Sequence, residues 1–305
     1  MAQPERLISP GKVMSLAMSV RSLRAYFLVT KPAMVALLVF TGVVGFARAS
    51  HGTFPAEPFL FLLLALTLGC AAANTLTGYI DRDIDAVMVR TRYRPIPSSQ
   101  LSPGRALVFG LVLALLALGF SLRLNWLTFA LIFLGLINNV VMYSLWAKRR
   151  TPLNIFAGSL AGGLPAVSGY AAYAGGIGPD GLWLGAIVMI WIPVHVWSIA
   201  IKYRADYAEA GVPMLPVIIS RERAVQFIAL ATGLLVVLSV IPALLGLFGW
   251  VYLLSAVSLG VVLLFLSLWL MFRPLERHAW ILFKVSGVYL GLLFLAVLVD
   301  AVLGA

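Results

Sequence analysis

Acidic residues are scarce in this chain. Asp and Glu supply 11 of 305 positions against 22 Lys and Arg, and charged residues make up 11% of the sequence, less than half the usual share in a soluble globular domain. A water-facing surface over the whole molecule is thereby excluded. Cysteine is nearly absent too: Cys70 stands alone inside an apolar run, so no intrachain disulfide can form and the residue reads as packing. Long polar stretches are also missing. No segment between apolar runs exceeds about 25 residues, which leaves no room for a separate soluble domain.

What fills the chain instead is hydrocarbon. Hydrophobic residues account for 62% of it and the mean hydropathy is +1.03, the composition of an integral membrane protein. Runs long enough to cross about 30 Å of lipid lie at approximately 28–46, 59–79, 106–124, 126–145, 153–174, 182–201, 225–248, 250–272 and 280–303. The expected fold is therefore all-α and polytopic, with nine transmembrane helices; the fifth run, rich in Gly and Ala, is the weakest by hydropathy.

Charge placement orients them. The amino terminus carries Arg6, Lys12, Arg21, Arg24 and Lys31, and with the segments after the second, fourth, sixth and eighth runs it holds 20 of the 22 basic residues; only Arg48 and Arg123 fall on the other side. By the positive-inside rule the amino terminus and the even-numbered loops are cytoplasmic. The net charge of +11 then belongs to a face beside anionic headgroups, and no nucleic-acid partner is implied. Residues 1–27 read as a cytoplasmic juxtamembrane segment. Their basic, Ser-containing composition also fits a short mitochondrial targeting sequence, the less favoured reading.

Three of the few acids fall within five positions at the end of the second run, in Asn74-Thr-Leu-Thr-Gly-Tyr-Ile-Asp81-Arg-Asp83-Ile-Asp85. On a helix running through this stretch, Asn74, Gly78, Asp81 and Asp85 share one face, while Asp83 points roughly 200° away and suits a salt bridge or helix packing as well as ligation. Two carboxylates about 6 Å apart repel by about 3 kcal/mol at an effective dielectric near 20, so a cation is expected between them. Arg90, Arg92 and Arg94 follow closely. Carboxylates that hold a divalent metal beside guanidinium forks can grip a diphosphate from both sides; a solvated ion-pair network capping the helix is the alternative.

A similar arrangement follows the sixth run, where His195 and Trp197 lead to Lys202-Tyr203-Arg204-Ala205-Asp206-Tyr207-Ala-Glu209. Acid-bearing loops separated by an even number of spans suggest two halves facing one cavity, with Asp206 completing a metal site opposite Asp81 and Asp85. His195, an imidazole inside a span, is a functional candidate; a buried His bonded to a carbonyl explains it equally well.

These residues carry a resemblance. Asp81-Arg-Asp-Ile-Asp85 followed by Arg90-Thr-Arg92-Tyr-Arg94-Pro-Ile-Pro97 resembles the first aspartate-rich motif of the UbiA superfamily of membrane-embedded prenyltransferases, and most of all its haem-farnesylating branch. Lys148-Arg-Arg-Thr-Pro-Leu-Asn154, Pro193-Val-His195-Val-Trp197 and Asp206-Tyr-Ala-Glu-Ala-Gly-Val-Pro-Met-Leu-Pro216 agree with it, and the likeness runs from about residue 31 to the end.

The resemblance implies one prenyltransferase domain over 28–305, a nine-helix bundle around a central cavity. Farnesyl diphosphate is the implied donor and haem B the acceptor, a substrate and not a cofactor; Mg2+ or Mn2+ is the cofactor. Asp81, Asp85, Asp206, Arg90, Arg94 and Lys202 are the implied catalytic residues, and Arg92, Lys148, Arg204, His195, Tyr207 and Asn154 the substrate-binding ones. The metal would rest on Asp81, Asp85 and Asp206, helped by Asn74 or Thr77. Thr77 stands where the superfamily usually carries Asn, which weakens the amide-ligand assignment. Tyr79, Trp197, Tyr203 and Tyr207 are candidates to shield an allylic cation. Membrane lipid and haem A synthase are the further partners implied, and the plasma membrane, or the mitochondrial inner membrane, the location. Competing readings are another prenyl acceptor (an aromatic acid, a quinone precursor or a lipid) and a cation-coupled transporter, which would instead hold its acids at mid-span.

Overall fold

The computed structural model describes residues 22–304, so the expectations for residues 1–21 lie outside it. Among the described residues the chain is helical throughout its regular structure, and nine helical spans are long and apolar enough to cross a membrane: α1 (Pro32–Ala49), α2 (Ala56–Ile80), α3 (Pro103–Leu122), the span Trp126–Arg149 that begins with α4 (Trp126–Ile137), α5 (Asn154–Ala174), α6 (Pro179–Lys202), α7 (Arg221–Leu244), α8 (Trp250–Phe272) and α9 (Glu276–Leu303). In hydrocarbon a helix satisfies its own backbone, which is why apolar runs of this length fold this way. Local chemistry sets their ends. Prolines open α1, α3 and α6, where the missing N–H is not needed, and Gly175 and Gly304 close α5 and α9 in the left-handed conformation. Asn125 caps α4 by accepting from Thr128 N at 2.8 Å.

The fourth span departs from expectation. Beyond Ile137 it continues as a π-helix over Asn138–Trp146 and a 3-10 turn over Ala147–Arg149. Each residue in a π-turn is wound less tightly, so the side chains beyond it are rotated relative to an unbroken α-helix.

Apolar side chains gather in two main clusters, one centred on α6 to α9 around Leu184, Trp197, Tyr252 and Tyr289, the other on α1 to α4 around Phe46, Leu62, Leu66 and Ile132. Small residues join the halves. A Cβ at Gly169 of α5 would collide with the backbone of Gly42 of α1, so these helices touch main chain to main chain, the packing that membrane helices favour. At one end of the bundle Arg48 pairs with Asp180 at 3.1 Å and donates to Leu247 O at 2.7 Å, tying α1, α6 and the α7–α8 turn together. The acidic loops lie at the opposite end.

Candidate active site

The acidic face is not on one continuous helix. α2 ends at Ile80, Asp81 occupies the joint at φ −86° and ψ 7°, and a second, short helix covers Arg82–Val87 before the chain turns through Pro97. Hydrogen bonds from Asp81 N to Thr77 O and from Asp85 N to Asp81 O, both 2.8 Å, carry the i to i−4 pattern across the joint. Asp81 and Asp85 consequently stay on one side while Asp83 faces out.

All three carboxylates have cationic partners. Lys148, brought in beyond the π-helix, donates to Asp81 Oδ2 at 2.6 Å, and both residues are buried from solvent except for 13% and 8% of their side chains. Arg94 Nη1 reaches both oxygens of Asp85, at 2.8 and 2.7 Å. Asp83 takes both arms of Arg149 at 2.7 Å, and Arg149 also donates to Ile80 O at 3.0 Å, so this fork holds the joint in place. The Arg149 guanidinium holds the Asp83 carboxyl well below the usual carboxylate range.

Arg90 links the two acidic loops. Its backbone N donates to Asp206 Oδ2 at 3.4 Å, its guanidinium donates to Tyr207 Oη at 3.3 Å, and the same guanidinium lies 5.5 Å from the centre of the Tyr203 ring. Two helical turns along α2 from Asp81, a mainly apolar cavity opens between α1, α2, α4 and α5, its roughly 480 Å³ including space open to the outside; Asn74, Cys70, Asn139 and Ser168 are among its walls. A smaller pocket of about 310 Å³ flanks Asp85, between Lys31, Gly78 and Arg94.

Several expected site residues are placed elsewhere. Lys202 sits 3.7 Å over the Trp280 ring, and Arg204 is committed to Val217 O and Ile219 O at 3.3 and 3.1 Å, bracing its own loop. Arg92 is exposed and bonded to Tyr93. Asn74 gives its amide N–H to Thr30 O at 3.0 Å, and Thr77 gives its hydroxyl hydrogen to Asn74 O at 3.1 Å; a metal would instead be met by the amide oxygen and the hydroxyl lone pairs, which these bonds do not use. His195 is sandwiched between Trp191 and Phe283 and bonds Ser286 Oγ at 2.9 Å, deep in the α6–α9 packing. His278 is buried in the first turn of α9 against Trp269. Tyr79 carries Arg82 on its ring. Asn154 and Trp197 are buried, and the amide of one and the indole N–H of the other lack a hydrogen-bond partner.

Two residues near the acids escaped the sequence reading. Tyr143 lies within electrostatic range of Lys148, Tyr207, Asp81 and Arg90, its ring packed where a side chain at Gly158 would stand. Lys31 was visible only as one basic residue among several.

A model of the UbiA prenyltransferase family matches residues 38–298. The chain belongs to this family. It is 45% identical over 280 residues to the protoheme IX farnesyltransferase of Desulforudis audaxviator strain MP104C, covering 91% of this chain and 88% of that one. Among solved structures, a digeranylgeranylglyceryl phosphate synthase superposes with a TM-score of 0.77 at 21% identity, over 92% of this chain and 99% of the other. A UbiA homologue of Archaeoglobus fulgidus, bound to GPP and Mg2+, does so with a TM-score of 0.61 at 16% identity, over 90% of this chain and 99% of the other.

Among the described residues no three His, Cys, Asp or Glu side chains converge closely enough to hold a metal ion as they stand. The donor chemistry nevertheless suits a divalent cation of the UbiA kind. Asp81, Asp85 and Asp206 offer only oxygen, and Asp81 Oδ1 is buried without a hydrogen-bond partner, an oxygen left for a hard cation to claim.

Proposed function

We propose that this UbiA-family chain transfers a farnesyl group from farnesyl diphosphate to a vinyl group of haem B, with addition of water, to give haem O and diphosphate. The observations that carry the prenyl-diphosphate half are the meeting of both acidic loops through Arg90 and a mainly apolar cavity that reaches up α2 as far as Asn74. The acceptor follows from 45% identity to a protein named protoheme IX farnesyltransferase.

The chemistry is carried by charge. As the allylic C–O bond breaks, the diphosphate oxygens gain negative charge and the farnesyl C1 becomes cationic; Arg90, Arg94 and Lys148 stand where they stabilise the leaving group. Mg2+ on Asp81, Asp85 and Asp206 would supply further Lewis-acid stabilisation of that diphosphate. Lys148 and Arg94, paired here with Asp81 and Asp85, would offer their charge to the diphosphate oxygens once bound. Tyr143, Tyr203 and Tyr207 present aromatic faces or edges near the charged cluster and shield the allylic cation. The vinyl terminal carbon bonds to C1, the cation passes to the adjoining carbon, and water adds there with loss of a proton.

The active site faces the cytoplasm from a plasma membrane in this reading. Membranes carrying the chain, supplied with haem B, labelled farnesyl diphosphate and Mg2+, are expected to form haem O detectable by mass. Folded protein that makes none would overturn the haem assignment.

A further inference from the structure

Lys31 has an unusual backbone and an unusual charge environment. Its φ and ψ are 55° and 64°, the left-handed region, although it is not a glycine. Pro32 follows, and a proline disfavours the right-handed helical conformation for the residue before it, leaving extended backbone as the ordinary choice. Lys31 takes neither, a strain of about 1–2 kcal/mol that persists only where the surroundings impose it. Those surroundings are the 28–31 turn, in which Lys31 N bonds Leu28 O at 3.1 Å, Lys31 O starts α1 by accepting from Met34 N at 2.9 Å, and Thr30 O receives the Asn74 amide. The result turns the Lys31 side chain onto the pocket shared with Asp85 and Arg94.

The charges there do not balance. Asp81 and Asp85 are matched one to one by Lys148 and Arg94 at 2.6 and 2.7 Å. Lys31 is a fifth charge in electrostatic range of all four and, among the described residues, makes no ion pair of its own. Burial, with help from Arg94, pulls its ammonium down to about 7, against the opposing pull of Asp85. A half-buried cation without a counterion, held in a strained turn, opposes folding stability. An incoming polyanion supplies what the protein does not.

We propose that Lys31 is a further substrate-binding residue, the ammonium that takes an oxygen of the donor's diphosphate beside Asp85 and Arg94. The assignment rests on the prenyl-diphosphate reading above but not on haem as the acceptor. A diphosphate is favoured over a carboxylate of the acceptor because Lys31 lines one pocket with Asp85 and Arg94, the residues beside which the leaving group is placed.

The test uses the full chain in detergent, with Lys31→Met, which keeps the side-chain length, and Lys31→Arg, which keeps the charge. Inorganic diphosphate with Mg2+, titrated calorimetrically, is expected to bind Lys31→Met about 10- to 100-fold more weakly than wild type, the loss of one charge-assisted hydrogen bond. Lys31→Arg should recover part of that affinity. The Tm of Lys31→Met should equal or exceed that of wild type, since the unmatched charge is gone and the strained turn is unchanged; a purely structural lysine would lower it. Unchanged diphosphate affinity in Lys31→Met overturns the proposal, as does a higher KM for haem B with diphosphate binding intact. A wild-type chain that binds diphosphate through Lys31 yet farnesylates no haem leaves Lys31 assigned and removes the haem reading.

Discussion

Lys148 and Asp81 form the most buried ion pair beside the candidate site, and its behaviour on mutation separates stability from chemistry. Removing one partner of a buried pair leaves an uncompensated charge, worth about 3–5 kcal/mol, whereas removing both often restores stability. Lys148→Met and Asp81→Asn are each expected to lose turnover and Tm, and the double variant to regain most of the Tm with turnover still absent. Thermal unfolding and single-time-point product assays on the same preparations check both halves. Near-normal turnover in Asp81→Asn would contradict its role at the leaving group. The outward direction of Asp83 was legible from its spacing of two residues from Asp81, since 100° per residue sends it to the far side of a helix. Its partner was not: Arg149 lies 66 residues away, and only the folded chain brings it to the joint. The same reason explains the misplaced bases. Arg204 and Lys202 sit beside Asp206 in sequence, but backbone carbonyls and Trp280 claim them.

Whole helices were easier to read than their details, because hydrocarbon thickness fixes a minimum apolar length and leaves a strong compositional mark. All nine spans appeared where the runs predicted them. The π-helix over Asn138–Trp146 did not, since it differs from an α-helix only in which carbonyl each N–H chooses, and no residue type marks that choice. That choice sets the direction from which Lys148 reaches Asp81. The contact between α1 and α5 is a second element-scale feature, and it turns on absent side chains. A methyl group at Gly169 has the Gly42 backbone in its path, while one at Gly119 of α3 meets nothing within 4 Å. Gly169→Ala should therefore lower stability by about 1–3 kcal/mol or more through forced separation of two helices, and Gly119→Ala should leave Tm unchanged or slightly raised. Equal Tm values for the two variants would show that α1 and α5 have room to part.

Over the whole molecule the charges sort by end. The segments after the second, fourth, sixth and eighth spans carry the bases and the site acids, while the opposite end closes on the Arg48–Asp180 pair. A basic face is attracted to an anionic leaflet by about 1 kcal/mol per Lys or Arg near the surface, so the asymmetry is large enough to decide which way the bundle inserts. The proposed cytoplasmic active site follows from that asymmetry and can be tested with the chain's lack of thiols. Cys70 is the only cysteine and lies half-buried within α2, so Cys70→Ser gives a silent background. On that background Gln100→Cys marks the exposed loop after α2, and Ala56→Cys the exposed first turn of α2 at the other end. A membrane-impermeant maleimide added to intact cells is expected to label Ala56→Cys and spare Gln100→Cys, and inverted vesicles should reverse the pattern. Labelling of Gln100→Cys from outside the cell would place the acidic loops, and the diphosphate released there, on the external face.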